Sequence, residues 1–498
     1  MLATFGRQSV VKTYSMLVDG ELVPSRSGNL VESINPATGE PLALVPDGNE
    51  EDARAAIDAA HAAYPAWRAL GPRERANRAR TLAAALRSAT DELALLESQD
   101  TGSPITPMSR DVLAAAGRLE FFAGLVTEIK GTTVPASNEG FHYTVREPYG
   151  VVVRIVPFNH PIMFAASRVA APLVAGNTVV LKVPPQAPLT GLRLGEIAKE
   201  VFPPGVLNIL NGDGPTVGRA LVSDRRVHRI GLTGSPQTGR SIVRDSADHL
   251  AEVSLELGGK NPLIVFPDAD VRQSAAGAVK AMNFGWQGQS CGSASRVFVH
   301  DSIDDEFCDA IVEQLGLIRQ GDPVHPDTTM GAMISQAQYD RVLQYIERGK
   351  NEGARLLAGG GRPAGEVFER GLFIAPTVFV DVKPDMTIAQ EEIFGPVMSI
   401  LTWSDEDDVI EQANGVDYGL TANLYTNDLA KAMRLIPRLE AGFVWVNGSG
   451  EHFQGLPFGG YKQSGLGREE SIEELLSYTQ IKSVSILPPN RWIPRSES

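Results

Sequence analysis

The stretch VVVRIVPFNHPIMFAASRVAAPLVAGNTVVLK, residues 151–182, decides the fold. Its first six residues are almost wholly β-branched, too short a run for a helix, and read as a strand buried on both faces. A Pro-Phe-Asn-His turn follows, then fifteen largely apolar residues (161–175) that open on Pro and stop at Gly176-Asn177, as a helix does. Residues 178–181, TVVL, are a second strand. Strand, helix, strand in so short a span is a βαβ unit, and such units build parallel sheets.

Working outward, the alternation continues. Helices are expected at 189–201, 215–222 and 235–249, and strands at 206–209, 227–231 and 252–257. It restarts after Gly258-Gly259, the expected seam. There the strands are 262–265, 296–299, 397–402, 421–425 and 442–446, with helices at 271–283 and 303–317. Residues 50–99 read as helices punctuated by Gly71-Pro72. Residues 141–146 and 479–486 alternate apolar with polar side chains, as half-buried or edge strands do, and such strands invite pairing with another subunit. The fold class is α/β: two consecutive doubly wound parallel-sheet domains and a small β arm.

Composition agrees. A chain of 498 residues, 43% hydrophobic and 21% charged, is globular and long enough for at least two cores. A net charge of -15 argues against a general nucleic-acid or anionic-membrane binder. Two cysteines make no disulfide framework, and no metal-binding Cys-x-x-Cys occurs, so no metal is expected. No apolar run is long enough to span a bilayer. The N-terminal MLATFGRQSVVKTYSM has two basic and no acidic residues but no secretory core; it reads as an extended arm or a leftover of cloning, with a weak transit peptide the other option. The expected location is the cytoplasm.

Few residues stand out for chemistry. Cys291 lies in the polar, glycine-rich GQSCGSASR, whereas Cys308 sits in an amphipathic helix as a structural thiol would. Glu256 ends a buried strand, so its carboxyl must be paired (Lys260 is near), exposed at a cleft, or tuned for work. Asn159 follows a strand and precedes a helix: either an N-cap, or an amide aimed at a developing oxyanion. His160 beside it is more often structural than a base. Gly234, Ser235 and Gly239 open a helix after a strand, as does NGDGPTVG with Gly214; either can receive a pyrophosphate, though the spacing is not G-x-G-x-x-G. Lys182 ends the strand TVVL, from where it can reach a ribose or phosphate or simply snorkel.

PFNHP (157–161), GNTVVLK (176–182), GLTGSPQTG (231–239), LELGGKNP (255–262), GQSCGSASR (288–296), EEIFGPV (391–397) and PFGGYKQSGLGRE (457–469) occur in this order. On them the chain resembles the aldehyde dehydrogenase superfamily from Leu17 to Leu487. The resemblance implies a dinucleotide-binding domain (1–130 and 150–258), a catalytic domain (259–457) and an oligomerisation arm (131–149 and 470–498) of a homodimer or homotetramer. It implies that Cys291 is the nucleophile and that Asn159 and the Cys291 backbone N–H form an oxyanion hole, with Glu256 activating water for thioester hydrolysis. Ser235 would approach the pyrophosphate of NAD, Lys182 and Glu392 would hold its riboses, and Phe394 would lie by the nicotinamide ribose. Pro157, Phe158 and Leu257 would line the cofactor cleft, and Phe164, Ser167, Trp286, His452, Phe453 and Phe458 the aldehyde pocket.

Two departures matter. Pro185 stands where many members have the Glu that binds the adenine-ribose hydroxyls, which weakens rejection of NADP while leaving NAD favoured. His160 replaces the family's usual Phe, and the amide beside it remains. The expected substrate is an aromatic or medium-chain aliphatic aldehyde, since the pocket residues include no convergent Arg pair for a carboxylate. The rival readings are a CoA-acylating dehydrogenase, against which Glu256 argues; a cofactor-free thiol hydrolase, against which the βαβ layers argue; and a silent scaffold.

Overall fold

Residues 12–135 and 140–487 are described by the computed structural model. The valine run forms the strand Val151–Ile155, in the middle of an eight-stranded sheet. Across that sheet the order is Gly465–Leu466, Glu252–Glu256, Val227–Thr233, Val151–Ile155, Thr178–Lys182, Leu207–Leu210, Met16–Val18 and Glu21–Val23. The central strands pair in parallel, and the two N-terminal strands and Gly465–Leu466 add antiparallel edges. From Val151–Ile155 the chain winds first to one side and then to the other. The strand order therefore reverses between it and Val227–Thr233, and such a switch point opens a crevice at the carboxyl ends of the strands.

The Arg in the valine run has its explanation here. Arg154 is fully buried, donating to the Tyr478 hydroxyl (2.6 Å) and to Glu469 Oε1 (2.8 Å). Its neighbour across the sheet is Gly231, where any Cβ would collide with the guanidinium. A buried charge is tolerated only when paired in this way.

The second sheet has seven strands, in the order Arg355–Ala358, Thr377–Val380, Val397–Trp403, Arg296–His300, Pro262–Val265, Thr421–Tyr425 and Phe443–Val446. All pairs are parallel except the first. Separate apolar clusters cover the faces of each sheet, as helices covering a doubly wound sheet require. The helix Pro161–Ala175 packs with Ile105–Gly124 and Pro72–Ser88 on one face of the first sheet, where Trp67 Nε1 donates to Leu173 O at 3.2 Å.

The arm is a three-stranded antiparallel sheet of Thr479–Ile486, Phe141–Pro148 and Thr133–Val134. Its start is later than the expected residue 470, because Glu474, Leu475 and Tyr478 are buried in the first domain. The N-terminal sheet Lys12–Thr13, Pro41–Pro46, Leu30–Ile34 and the helix Ile105–Gly124 were not expected from the sequence. Residues 1–11 of the N-terminal stretch, and residues 488–498, which the expected arm includes, lie outside the described residues. No helix among the described residues is long and apolar enough to cross a membrane.

Candidate active site

The carboxyl ends of the first sheet face the amino ends of the second, and the conspicuous residues gather where they meet. Pro157, Phe158 and Asn159 leave Val151–Ile155; Gly234 and Ser235 leave Val227–Thr233; Glu256 ends its own strand. From the other side come Cys291, just before Arg296–His300, and Glu392 and Phe394, just before Val397–Trp403. All of these line one cavity of about 470 Å³. A second cavity, of about 530 Å³, approaches from the opposite side and is lined by Phe164, Trp286, His452 and Phe458 among others. Thr233, Glu256 and Cys291 line both.

The thiol sits on a constrained loop. Asn283 and Gln287 adopt positive φ (57° and 55°) around the turn Phe284–Trp286 that precedes it. Asn261 Nδ2 donates to the carbonyls of Cys291 (2.7 Å) and Ser293 (2.9 Å), and Asn261 Oδ1 accepts from Thr421 N–H. A Cβ on Gly259 would come within 2.5 Å of the Cys291 carbonyl, so glycine is required at that approach. Burial, and then the carboxyls of Glu392 and Glu256, push the Cys291 thiol up to about 12.

Glu256 is 4% exposed and, among the described residues, neither carboxyl oxygen has a partner; the ion pair with Lys260 does not form, since Lys260 Nζ is itself buried and, among those residues, partnerless. Desolvation, followed by the field of Glu469, raises the Glu256 carboxyl well above its ordinary value. A buried, unpaired, strongly shifted carboxyl in a cleft marks a working group more often than a structural one. Asn159 does not cap the helix; His160 holds that position without a capping bond, and Asn159 Oδ1 is buried without a partner.

The crevice fits a dinucleotide at its switch point. Ser235 caps the helix Pro236–Asp245, and Glu392 Oε1 accepts from Gly259 N–H at 2.9 Å. Gly258 has no room for a Cβ, which would fall 2.1 Å from Glu392 Oε2. Burial raises the Glu392 carboxyl to about 7. Phe394 has φ +61° and meets Phe158 edge-on at 5.7 Å.

Five expected residues are not on these walls. Gly239 packs on Leu257, where a Cβ would lie 3.1 Å from the side chain, so it serves helix–strand packing. Gly214 opens a π-helical turn away from the crevice cavity, and Lys182 is buried with Nζ on Val183 O at 3.3 Å. Ser167 is 1% exposed with its hydroxyl sealed in the core, because the helix turns that face inward; Phe453 is 80% exposed.

Other residues escaped sequence reading. Thr233 lies within the GLTGSPQTG motif but was not singled out, and the structure places it at the end of the strand Val227–Thr233. Gln338 and Arg341 hold the Phe394 loop through backbone carbonyls: Gln338 Nε2 donates to Phe394 O (2.8 Å) and Arg341 to Glu392 O (2.9 Å). Such contacts carry no local signature. Asp111 and Arg118, on a helix that was not expected, form part of the second cavity, as does Arg168. Both arginines are already paired: Arg118 with Glu470 Oε1 (2.7 Å) and Arg168 with Glu469 Oε2 (2.7 Å).

Fold and cleft thus define a class: a doubly wound α/β enzyme whose thiol and buried carboxyl stand between a nucleotide-type crevice and a separate aromatic cavity. Comparison gives the family. The model described as "Aldehyde dehydrogenase family" matches residues 22–484. The chain is 48% identical to aldehyde dehydrogenase tropH of Talaromyces stipitatus, over 95% of this chain and 93% of that one. Among solved structures it is similar to an aldehyde dehydrogenase from Bacillus cereus in complex with NAD+, at 40% identity and TM-score 0.93, covering 96% and 97% of the two chains. It is also similar to the P. syringae indole-3-acetaldehyde dehydrogenase AldA, a mutant in complex with NAD+ and IAA, at 37% identity, TM-score 0.93 and 97% and 98% coverage. The chain belongs to the aldehyde dehydrogenase family, and aldehyde oxidation is its reaction.

Proposed function

We propose that this chain oxidises an aromatic or medium-chain aliphatic aldehyde to the carboxylic acid through a thioester on Cys291, preferring NAD and accepting NADP. The observation that carries this reading is the position of Cys291 and an unpartnered, buried Glu256 on the shared wall of two cavities. One cavity suits a dinucleotide and the other a largely apolar substrate. As an NAD(P)-dependent aldehyde dehydrogenase the chain stands with relatives crystallised with NAD+ and, at 34% identity, with NAP. The AldA relative, named for an aldehyde with an aromatic ring, agrees with the aromatic wall here.

In the crevice, Ser235 and the helix N-terminus behind it would take the pyrophosphate, Glu392 a ribose, and Phe158 and Phe394 would flank the nicotinamide end. Bound there, the nicotinamide supplies the hydride acceptor. Cys291 first gives up its proton to solvent, and Sγ then bonds to the aldehyde carbon. The resulting oxyanion is met by the Asn159 amide and the Cys291 backbone N–H. Loss of hydride from that carbon leaves the thioester. Glu256, once it has passed its proton to solvent, takes a proton from water as the water oxygen attacks, and as the C–S bond breaks it returns that proton to Sγ, releasing the acid and the thiol. Oligomerisation as a homodimer or homotetramer through the Thr479–Ile486 edge completes the reading.

The test is formation of the reduced-nicotinamide absorbance with NAD or NADP over an aldehyde panel. Wild type should turn over, Cys291→Ala should be inactive, and Asn159→Ala should fall about 10²–10³-fold in kcat. A folded wild type that reduces neither dinucleotide would sink the reading, and acyl-CoA formation on adding CoA would replace hydrolysis with acyl transfer.

A further inference from the structure

Two imidazoles face the aldehyde cavity, and each is held by a carboxylate from a different element. His160 Nδ1 lies 2.7 Å from Asp111 Oδ2, and His452 Nδ1 lies 2.8 Å from Glu470 Oε2. Asp111 is 6% exposed on the helix Ile105–Gly124. Glu470 is braced by Arg118 at 2.7 Å; although burial opposes ionisation, the Arg118 charge and the hydrogen bond from His452 hold its carboxyl well below the usual range. Both rings are set among aromatic side chains, His160 at 5.0 Å from Trp286 and His452 at 4.6 Å from Phe458. Among the described residues neither Nε2 has a hydrogen-bond partner.

A carboxylate only accepts, so each Nδ1 is the donor, and a neutral ring then offers the lone pair of Nε2. That atom requires a donor. A simple aliphatic chain filling the cavity would strip both Nε2 atoms of water and return nothing, which is the situation that gives hydroxyl-reading sites their discrimination. A carboxylate-bearing substrate fares no better, because the cations on the wall are already matched: Arg118 with Glu470, Arg168 with Glu469. What satisfies the wall is an aromatic ring that carries hydroxyl groups.

Resting on the function proposed above, we infer that the His452–Glu470 and His160–Asp111 pairs form a hydroxyl-reading subsite, and that the substrate class is the hydroxylated aromatic aldehyde. Glu470 and Asp111 act as positioning residues; the imidazoles make the contact. The cavity of about 530 Å³ is ample for a ring with two such substituents.

The experiment compares kcat/KM for 3,4-dihydroxybenzaldehyde, its dimethoxy ether and benzaldehyde. The ether keeps the electron release of the oxygens and benzaldehyde is smaller, so electronics and size are both controlled. Wild type should prefer the diphenol to each comparator by about 10-fold or more, an effect of the size expected of one satisfied polar group. His452→Phe and His160→Phe should each collapse that ratio toward one, chiefly through KM, while His452→Gln retains part of it. Glu470→Gln and Asp111→Asn, which free the rings to turn, should lower it without removing the imidazole. A ratio near one in wild type, with benzaldehyde well oxidised, overturns the subsite and leaves the aldehyde reaction standing. A high ratio that survives both Phe variants also overturns it. Absence of turnover with all three and with hexanal would instead remove the function on which the inference rests.

Discussion

At Glu256 an acidic side chain is shut from water with neither oxygen bonded, a costly arrangement that function must justify. Its raised carboxyl has two consequences. The first is kinetic: Glu256→Gln should form one equivalent of reduced nicotinamide per site and then stall, with steady-state turnover down about 10²-fold or more and no rise with pH, because water is no longer activated. Stopped-flow absorbance checks the burst, and an unchanged steady state would remove Glu256 from the deacylation step. The second is thermodynamic. A carboxyl whose folded pKa lies above its unfolded one binds its proton more tightly in the native state, so the stability it lends is lost as pH rises from about 4.3 through the raised value. The Gln variant escapes that loss. Its Tm should exceed wild type by about 2 °C near pH 8, with the gap closing toward pH 5.

At the scale of elements, Asn159, the proposed oxyanion donor, is placed by a residue far from it in sequence. Glu97, on the helix Thr90–Thr101, accepts from Ile162 N–H (2.8 Å) and Thr190 Oγ1 (2.6 Å), anchoring the start of the helix that follows Asn159. That helix begins with no side-chain cap of its own, so Glu97 satisfies one of its free N–H groups. Glu97→Ala should cost about 1–3 kcal/mol by leaving a buried N–H unmet. It should also depress kcat more than KM by loosening the amide; urea unfolding and steady-state kinetics measure the two. The anchor was invisible in the sequence, where Glu97 is one of several acidic residues in a helical stretch. The valine strand beside it was legible at once, because burial on both faces leaves a run of β-branched residues.

At the scale of the whole molecule, Thr479–Ile486 is the outer strand of the arm, with Ile481 60% and Ile486 53% exposed. An eight-residue strand with one unpaired edge and exposed isoleucines is a template for another strand. Ile481→Lys should therefore shift the protein toward monomer, read as a fall in mass by light scattering. A wild type that is already monomeric would end the proposal that the arm joins subunits. The arm's alternation was readable from sequence; its boundary was not, because Glu474 and Tyr478 are drawn inward by Arg154 and Arg168.

The sequence by itself determined the α/β class, the two successive sheets and the arm strands, and its seven motifs in order carry the family resemblance that singles out Cys291, Glu256 and Asn159. These follow from local run lengths, turn residues and motifs carried on single segments. Only the tertiary structure decided where the strand order reverses, that Cys291 and Glu256 stand between two cavities, and that Gly239 and Ser167 face packing rather than ligand. It alone set Asp111 against His160 and Glu470 against His452. Such pairings join residues far apart in the chain, and no local pattern of hydrophobicity records which side chains a fold will bring within hydrogen-bond distance.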